Sequence, residues 1–121
     1  MQQKKTLVIG ASENPERYSN RAILSLRAHG HPVVAIGQRE GQVGDVHFGK
    51  EHAAFEEIDT VTLYLNPKRQ TDYYNYILSL KPKRIIFNPG TENPELEQLA
   101  AQQNIAILQA CTLVLLSTGQ Y

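Results

Sequence analysis

The apolar run Leu7-Val8-Ile9 stops at Gly10, and the small residues Ala11 and Ser12 follow it. A short apolar run between polar flanks suits a strand buried on both faces, as in a parallel sheet. From Lys4 to Pro15 the chain therefore reads as a buried strand entering a small-residue turn. A polar segment follows, and a helix pattern starts at Ser19 or Asn20. Such an opening gathers free backbone N–H groups and a helix N-terminus at one spot, which favours an anion, typically a phosphate.

The rest of the chain repeats this alternation. Asn20 to His29 is helical, with Ile23 and Leu26 on one face beside Ala22 and Leu24, and Gly30 stops it. His31 to Ile36 is a second strand, with Pro32 tolerated at its start. Together these form a right-handed strand–helix–strand unit with parallel strands. Gly37 to Gly44 is polar and glycine-rich, hence a loop. Val46 to Gly49 is a short extended piece. Glu51 to Glu57 is expected to form a helical turn with Ala54 and Phe55 facing inward. Asp59 to Leu65, dense in β-branched and aromatic residues, is a third strand ended by Asn66-Pro67. Lys68 to Leu80 predicts one continuous helix whose Tyr73, Tyr76, Ile77 and Leu80 form a single stripe. Lys81-Pro82 ends it, because a residue before proline avoids the helical region. Arg84 to Phe87 is a fourth strand. Asn93 caps a helix that Pro94 opens, with Leu96, Leu99 and Ala100 inside. Ile105 to Leu108 is a fifth strand, and Cys111 to Ser117 a short closing helix. Strands alternating with helices at these lengths give an α/β fold, a doubly wound, mostly parallel sheet of about five strands between helical layers. The expected strand order is 3-2-1-4-5, or a close variant if residues 46–48 join the sheet.

With 121 residues the chain is long enough for one core, and residues 1–121 are read as a single domain. Twelve basic residues balance twelve acidic ones, so no overall field draws the protein to nucleic acid or a membrane. Anions must be recognised by local groups. The lone Cys111 excludes an internal disulfide and points to a reducing compartment. The run that begins after Met1-Gln2-Gln3-Lys4-Lys5 is too short for a signal-peptide core or a membrane span, so a cytoplasmic protein is expected.

Four of the six prolines follow asparagine, namely Pro15, Pro67, Pro89 and Pro94. Proline denies its N–H to the sheet, its neighbour is pushed to an extended shape, and the asparagine side chain bonds nearby backbone. Each pair alone is ordinary turn punctuation. Several on one edge give strand ends that are stiff, polar and pre-shaped, and ligands of open α/β sheets bind at that edge. The Gly10 turn does not fit G-x-G-x-x-G and lacks the Gly-Lys-Ser/Thr of a P-loop. The second strand ends in Gly37-Gln38-Arg39, offering a basic residue where a ribose phosphate is accommodated. Lys68 and Arg69 stand at a helix N-terminus, where cations oppose the dipole and a bound phosphate would relieve the conflict.

Val8-Ile9-Gly10-Ala11-Ser12-Glu13-Asn14-Pro15, with Tyr18-Ser19-Asn20 behind it, resembles the small stand-alone CoA-binding proteins. These are related to the CoA-binding domain of the succinyl-CoA synthetase alpha subunit. The resemblance runs nearly end to end, through Asp59-Thr60-Val61, Asn66-Pro67, Asn88-Pro89-Gly90 and Cys111. It implies a Rossmann-like fold that holds coenzyme A along the carboxyl edge of the sheet. Gly10, Ala11, Ser12, Asn14 and Pro15 would then cradle phosphate. Leu65, Asn66 and Pro67, with Lys68 and Arg69 adjacent, would border the adenine side. Asn88, Pro89 and Gly90, followed by Thr91 and Glu92, would line the ligand from the next loop. The second strand of the family ends in Asn-Pro and then glycine-rich and basic residues. Gly37-Gln38-Arg39 departs from that pattern, with Arg39 as the substitute contact.

No catalytic residue and no metal site is expected. The phosphorylated histidine of the synthetase lies in another domain. His29 and His31 flank Gly30 at a helix end, where a cation suits the dipole. His47 and His52 match no metal spacing. Cys111 reads as a small buried residue, or as a thiol able to pair with that of CoA. Three functions follow: a non-catalytic module that binds CoA or an acyl-CoA, an NAD(P)- or other nucleotide-dependent enzyme using the same crevice, and an interaction subunit with a vestigial site. A small-molecule ligand is expected, without nucleic acid or membrane, and the sequence names no protein partner.

Overall fold

The computed structural model describes residues 2–121; Met1 lies outside them. Five parallel strands form the sheet: β1 (Thr6–Ala11), β2 (Val33–Gly37), β5 (Thr60–Leu63), β6 (Arg84–Phe87) and β7 (Ala106–Gln109), in the order β2-β1-β5-β6-β7. Successive residues of a strand feed opposite layers. Leu7 and Ile9 join a core with Ile77, Leu96 and Ala100. Val8 joins a second core with Ile23, Leu26 and Leu116. Helices α3 (Tyr74–Leu80) and α4 (Pro94–Gln102) thus cover one face, and α1 (Tyr18–Ala28) and α5 (Thr112–Ser117) the other. The three-layer, Rossmann-like α/β architecture is the expected one.

The strand order is not. The third predicted strand, now β5, was expected outside β2 and instead pairs with β1 and β6. All four of its residues are buried, which suits a central strand. Beside the outer edge of β2 lie residues 41–49, where a loop to Gly44 and a short extended piece from Val46 are expected. Strand β3 (Gly41–Val43) and strand β4 (Val46–Phe48) form an antiparallel hairpin through Gly44 and Asp45. A single parallel bridge, Ile36 to Gly49, fastens the chain beyond this hairpin to β2. Two residues of Gly-Asp type between valines are a hairpin signal legible in the sequence. The chain then crosses back to the free side of β1. The switch in winding direction therefore falls between β1 and β5, and the crevice opens there.

Two helical expectations also change. Lys68 to Leu80 is broken into α2 (Pro67–Gln70), a 3-10 turn over Thr71–Tyr73, and α3. The tighter turn re-phases the helix, so that Gln70 and Ile77 are both fully buried while Tyr73, Tyr76 and Leu80 are half-buried. Residues 51–57 form no helical turn: Ala54 is exposed and Phe55 half-buried. Tyr76 there donates to the Ala53 carbonyl at 2.6 Å, and His52 stacks on Tyr73 with ring centroids 4.5 Å apart. These contacts hold the segment against the 3-10 turn and α3.

Candidate functional site

Gly10 lies at the carboxyl end of β1 with φ +100°, in the region that favours glycine. A Cβ there would stand 3.1 Å from Tyr64, whose N–H donates to the Ile9 carbonyl at 2.9 Å. The turn beyond is held from inside. Asn20 donates to the Ser12 carbonyl at 3.0 Å, and the Asn14 side chain accepts from the Glu16 N–H at 3.0 Å. Helix α1 follows with no side-chain cap and no acid in its first turn. Its free N–H groups and partial positive charge face the same space.

That space is a crevice of about 730 Å³. It brings together Gly10, Ala11, Ser12, Asn14, Arg39, Leu65, Arg69 and Pro89 from the predicted set. Pro15, Asn66, Pro67, Lys68, Asn88 and Gly90 do not line it. The Asn-Pro pairs act as scaffold. Asn66 caps α2 by accepting from the Arg69 N–H at 3.0 Å, and Asn93 accepts from the Leu96 N–H at 3.3 Å. Asn88 is buried, donating to Thr62 Oγ1 and the Leu63 carbonyl and accepting from the Thr112 N–H. The strand order explains this placement: with β5 beside β1, Tyr64 and Leu65 border the Gly10 turn, and the Asn88 loop lies one strand further away.

Thr91, from the loop after the fourth strand, lines the crevice and Glu92 does not, while Arg17, Tyr18, Gln38 and Tyr64 line it without having been predicted. Each adjoins or nearly adjoins a predicted residue or the predicted helix start, and adjacency was the only available signal. Three arginines, Arg17, Arg39 and Arg69, line the crevice, as do Glu13, Glu16 and Glu40. None of these six is in an ion pair among the described residues, where the pairs are Arg27–Asp45 and Lys83–Asp59. Glu13 is engaged otherwise: its carboxylate accepts from the Gln42 N–H at 2.9 Å and so ties the β1–α1 turn to the hairpin. A Cβ on Gly41 would stand 2.7 Å from the Phe48 ring and 2.8 Å from the Glu13 side chain, so these would have to shift to admit one. At Gly37 a Cβ would stand 2.6 Å from the Ala11 carbonyl and 2.9 Å from the Phe48 ring. Gly37 thus lets three segments converge at the corner where the family pattern breaks.

Opposite this corner a buried amide network fixes two walls. Gln70 donates to the Leu65 and Thr91 carbonyls, both at 2.8 Å, and accepts from Asn93 at 2.9 Å. The Tyr64 hydroxyl is buried without a hydrogen-bond partner. Burial pushes it up to about 12, against a smaller opposing effect of the nearby Thr112 and Thr62 hydroxyls, which lie outside bonding geometry. Cys111 is half-buried at the start of α5 and is not among the crevice residues.

Away from the crevice, His31 departs from its expected role as a helix-end cation. It is fully buried, and its Nδ1 accepts from the Lys4 N–H at 3.0 Å. The proton then sits on Nε2, which has no partner. Burial pushes the imidazole below its ordinary value, reinforced by His29, Lys4 and Arg84 and opposed by Asp59.

A doubly wound α/β domain with a small-residue turn, an uncapped helix and arginines at its switch point has the parts that favour a phosphate. Residues 4–117 match the family described as CoA binding domain, and the chain belongs to that family. It is similar over 100% of both chains to an uncharacterised protein of known crystal structure, at 47% identity and a TM-score of 0.97. A Thermus thermophilus structure matches at 19% identity and a TM-score of 0.85, covering 98% of this chain and 91% of that one. A hypothetical protein from Pyrococcus horikoshii OT3 matches at 24% identity and a TM-score of 0.81, covering 93% and 81%. These last two show the fold alone. Comparison with curated proteins finds no match. Among the described residues, no helix is long and apolar enough to cross a membrane.

Proposed function

We propose that the β1/β5 crevice holds coenzyme A or an acyl-CoA, and that the protein acts as a binding or regulatory module without catalysis of its own. The observation that carries this reading is the convergence of the Gly10 turn, the uncapped start of α1 and three arginines on one crevice. Coenzyme A brings a diphosphate and a ribose 3′-phosphate. Backbone N–H groups suit the former, and Arg39, at the end of β2, suits the latter. The small residues Gly10, Ala11 and Ser12 allow the close approach that a diphosphate needs.

Thermal-shift and calorimetric titration with CoA, acetyl-CoA, NAD, NADP and ATP test the proposal. Ligand at a hundred times its Kd stabilises the folded state by about 2.7 kcal/mol. CoA or its thioester is expected to give the largest shift, with no change in the ligand after prolonged incubation. Absence of any shift with millimolar CoA forms would sink the reading. Arg39 also favours a second reading, an NADP-dependent enzyme, because NADP carries a phosphorylated ribose as well. Stabilisation by NADP above CoA would select it.

A further inference from the structure

The carboxyl end of β2 and the start of α2 stand on either side of β1, and side chains from both meet across the crevice. Gln38, one residue past β2, faces Arg69 of α2. With its amide turned so that oxygen meets the guanidinium, Gln38 accepts from both terminal nitrogens of Arg69. Both residues line the crevice together with the Gly10 turn. The backbone beneath Arg69 is fixed, because Asn66 caps its N–H and the neighbouring Gln70 is fully buried in the amide network.

A guanidinium held by a neutral amide is weakly committed. The amide oxygen leaves the positive charge uncompensated, whereas a phosphate brings an opposite charge and takes a guanidinium through two parallel bonds. The carboxylates of the same crevice, Glu13, Glu16 and Glu40, would hold Arg69 far more firmly, yet they form no ion pair with it among the described residues. We propose that Gln38 holds Arg69 in reserve as an anion contact of the crevice, and that ligand binding exchanges the Gln38 amide oxygen for a phosphate oxygen. Gln38 is then the residue that sets affinity for the phosphorylated ligand, by competing for Arg69 with a strength below that of phosphate. The identity of that ligand as CoA rests on the reading above; the exchange itself does not.

Substitutions with opposite signs test this. Gln38→Glu puts a carboxylate against the guanidinium and is expected to weaken CoA binding roughly tenfold. Gln38→Ala frees Arg69 and is expected to tighten CoA binding a fewfold. Arg69→Ala is expected to weaken binding roughly tenfold. In the Arg69→Ala background, Gln38→Glu should add little further loss. An unchanged affinity in Gln38→Glu, or a loss that persists in full without Arg69, overturns the proposal. The Arg69 side-chain Nε–H resonance supplies an arm that needs no CoA. It should shift in free Gln38→Ala, and shift in the natural protein on adding inorganic pyrophosphate. If it does both while CoA fails to bind, the CoA reading falls and the exchange stands. If it ignores Gln38→Ala, the exchange falls whatever CoA does.

Discussion

The arginines at the two edges of the sheet are used in opposite ways. At the amino edge, Arg84 donates to Thr60 Oγ1 at 2.8 Å and to the Tyr121 carbonyl at 2.9 Å, and lies 4.4 Å from the Tyr121 ring centroid. Lys4 bonds the same carbonyl, and the Tyr121 hydroxyl meets Thr6 Oγ1 at 2.5 Å. Among the described residues, His31 Nε2 is the buried side-chain polar atom there without a partner. At the carboxyl edge, Arg17 and Arg39 have no carboxylate partner among the described residues, and Arg69 rests on an amide. One edge clasps the fold. The other leaves its arginines without a carboxylate partner among the described residues.

The largest effect is expected from Gly10→Val. It forces a β-branched residue into positive φ, with a Cβ 3.1 Å from Tyr64. Backbone strain of this kind costs on the order of 1–3 kcal/mol, and the phosphate approach closes with it. A lower Tm with no CoA binding is the expected pair of results; retained affinity places the ligand elsewhere. Arg84→Met comes next and should sharpen the contrast. It removes two hydrogen bonds and a cation over a ring at the amino edge, a loss of about 1–3 kcal/mol in denaturant unfolding. The CoA Kd of the folded variant should not move. If it does, the two edges are not independent.

Arg39→Ala should do the reverse. The side chain is exposed, so unfolding free energy should stay within about 0.5 kcal/mol, while CoA affinity drops several-fold. Dephospho-CoA, which lacks the 3′-phosphate, should lose little in the same variant. Equal losses for both ligands would remove Arg39 from the ribose phosphate. The smallest effect concerns pH. His31 titrates below its ordinary value of 6.5 in the folded protein. As pH falls below that value the unfolded chain takes up a proton and the folded one does not. Stability is therefore full above the unfolded value and declines on acidification until the folded imidazole also protonates. Replacing His31 by Gln should flatten this part of the stability curve; an unchanged slope would assign it to other groups.

The sequence by itself determined the five strands of the parallel sheet, the Gly10 turn, the Asn93-Pro94 helix start and the α/β class, but not strand β3. These depend on local chemistry, namely apolar runs bounded by turn residues, a glycine where φ must be positive, and a cap before a proline. The same locality limits the reading of the Asn-Pro pairs, whose side chains shape the edge while six of the fourteen predicted contacts stand outside the crevice. Only tertiary structure decided which strand lies beside β1. Tertiary pairing sets β5 against β1, while the chain beyond the hairpin meets β2 at the single Ile36–Gly49 bridge, and segments this far apart share no local pattern. It also decided that Gln70 would be buried and that Gln38 would meet Arg69, 31 positions away along the chain. A side chain's partner across a crevice is fixed by the crossing of the chain, and no local pattern encodes it.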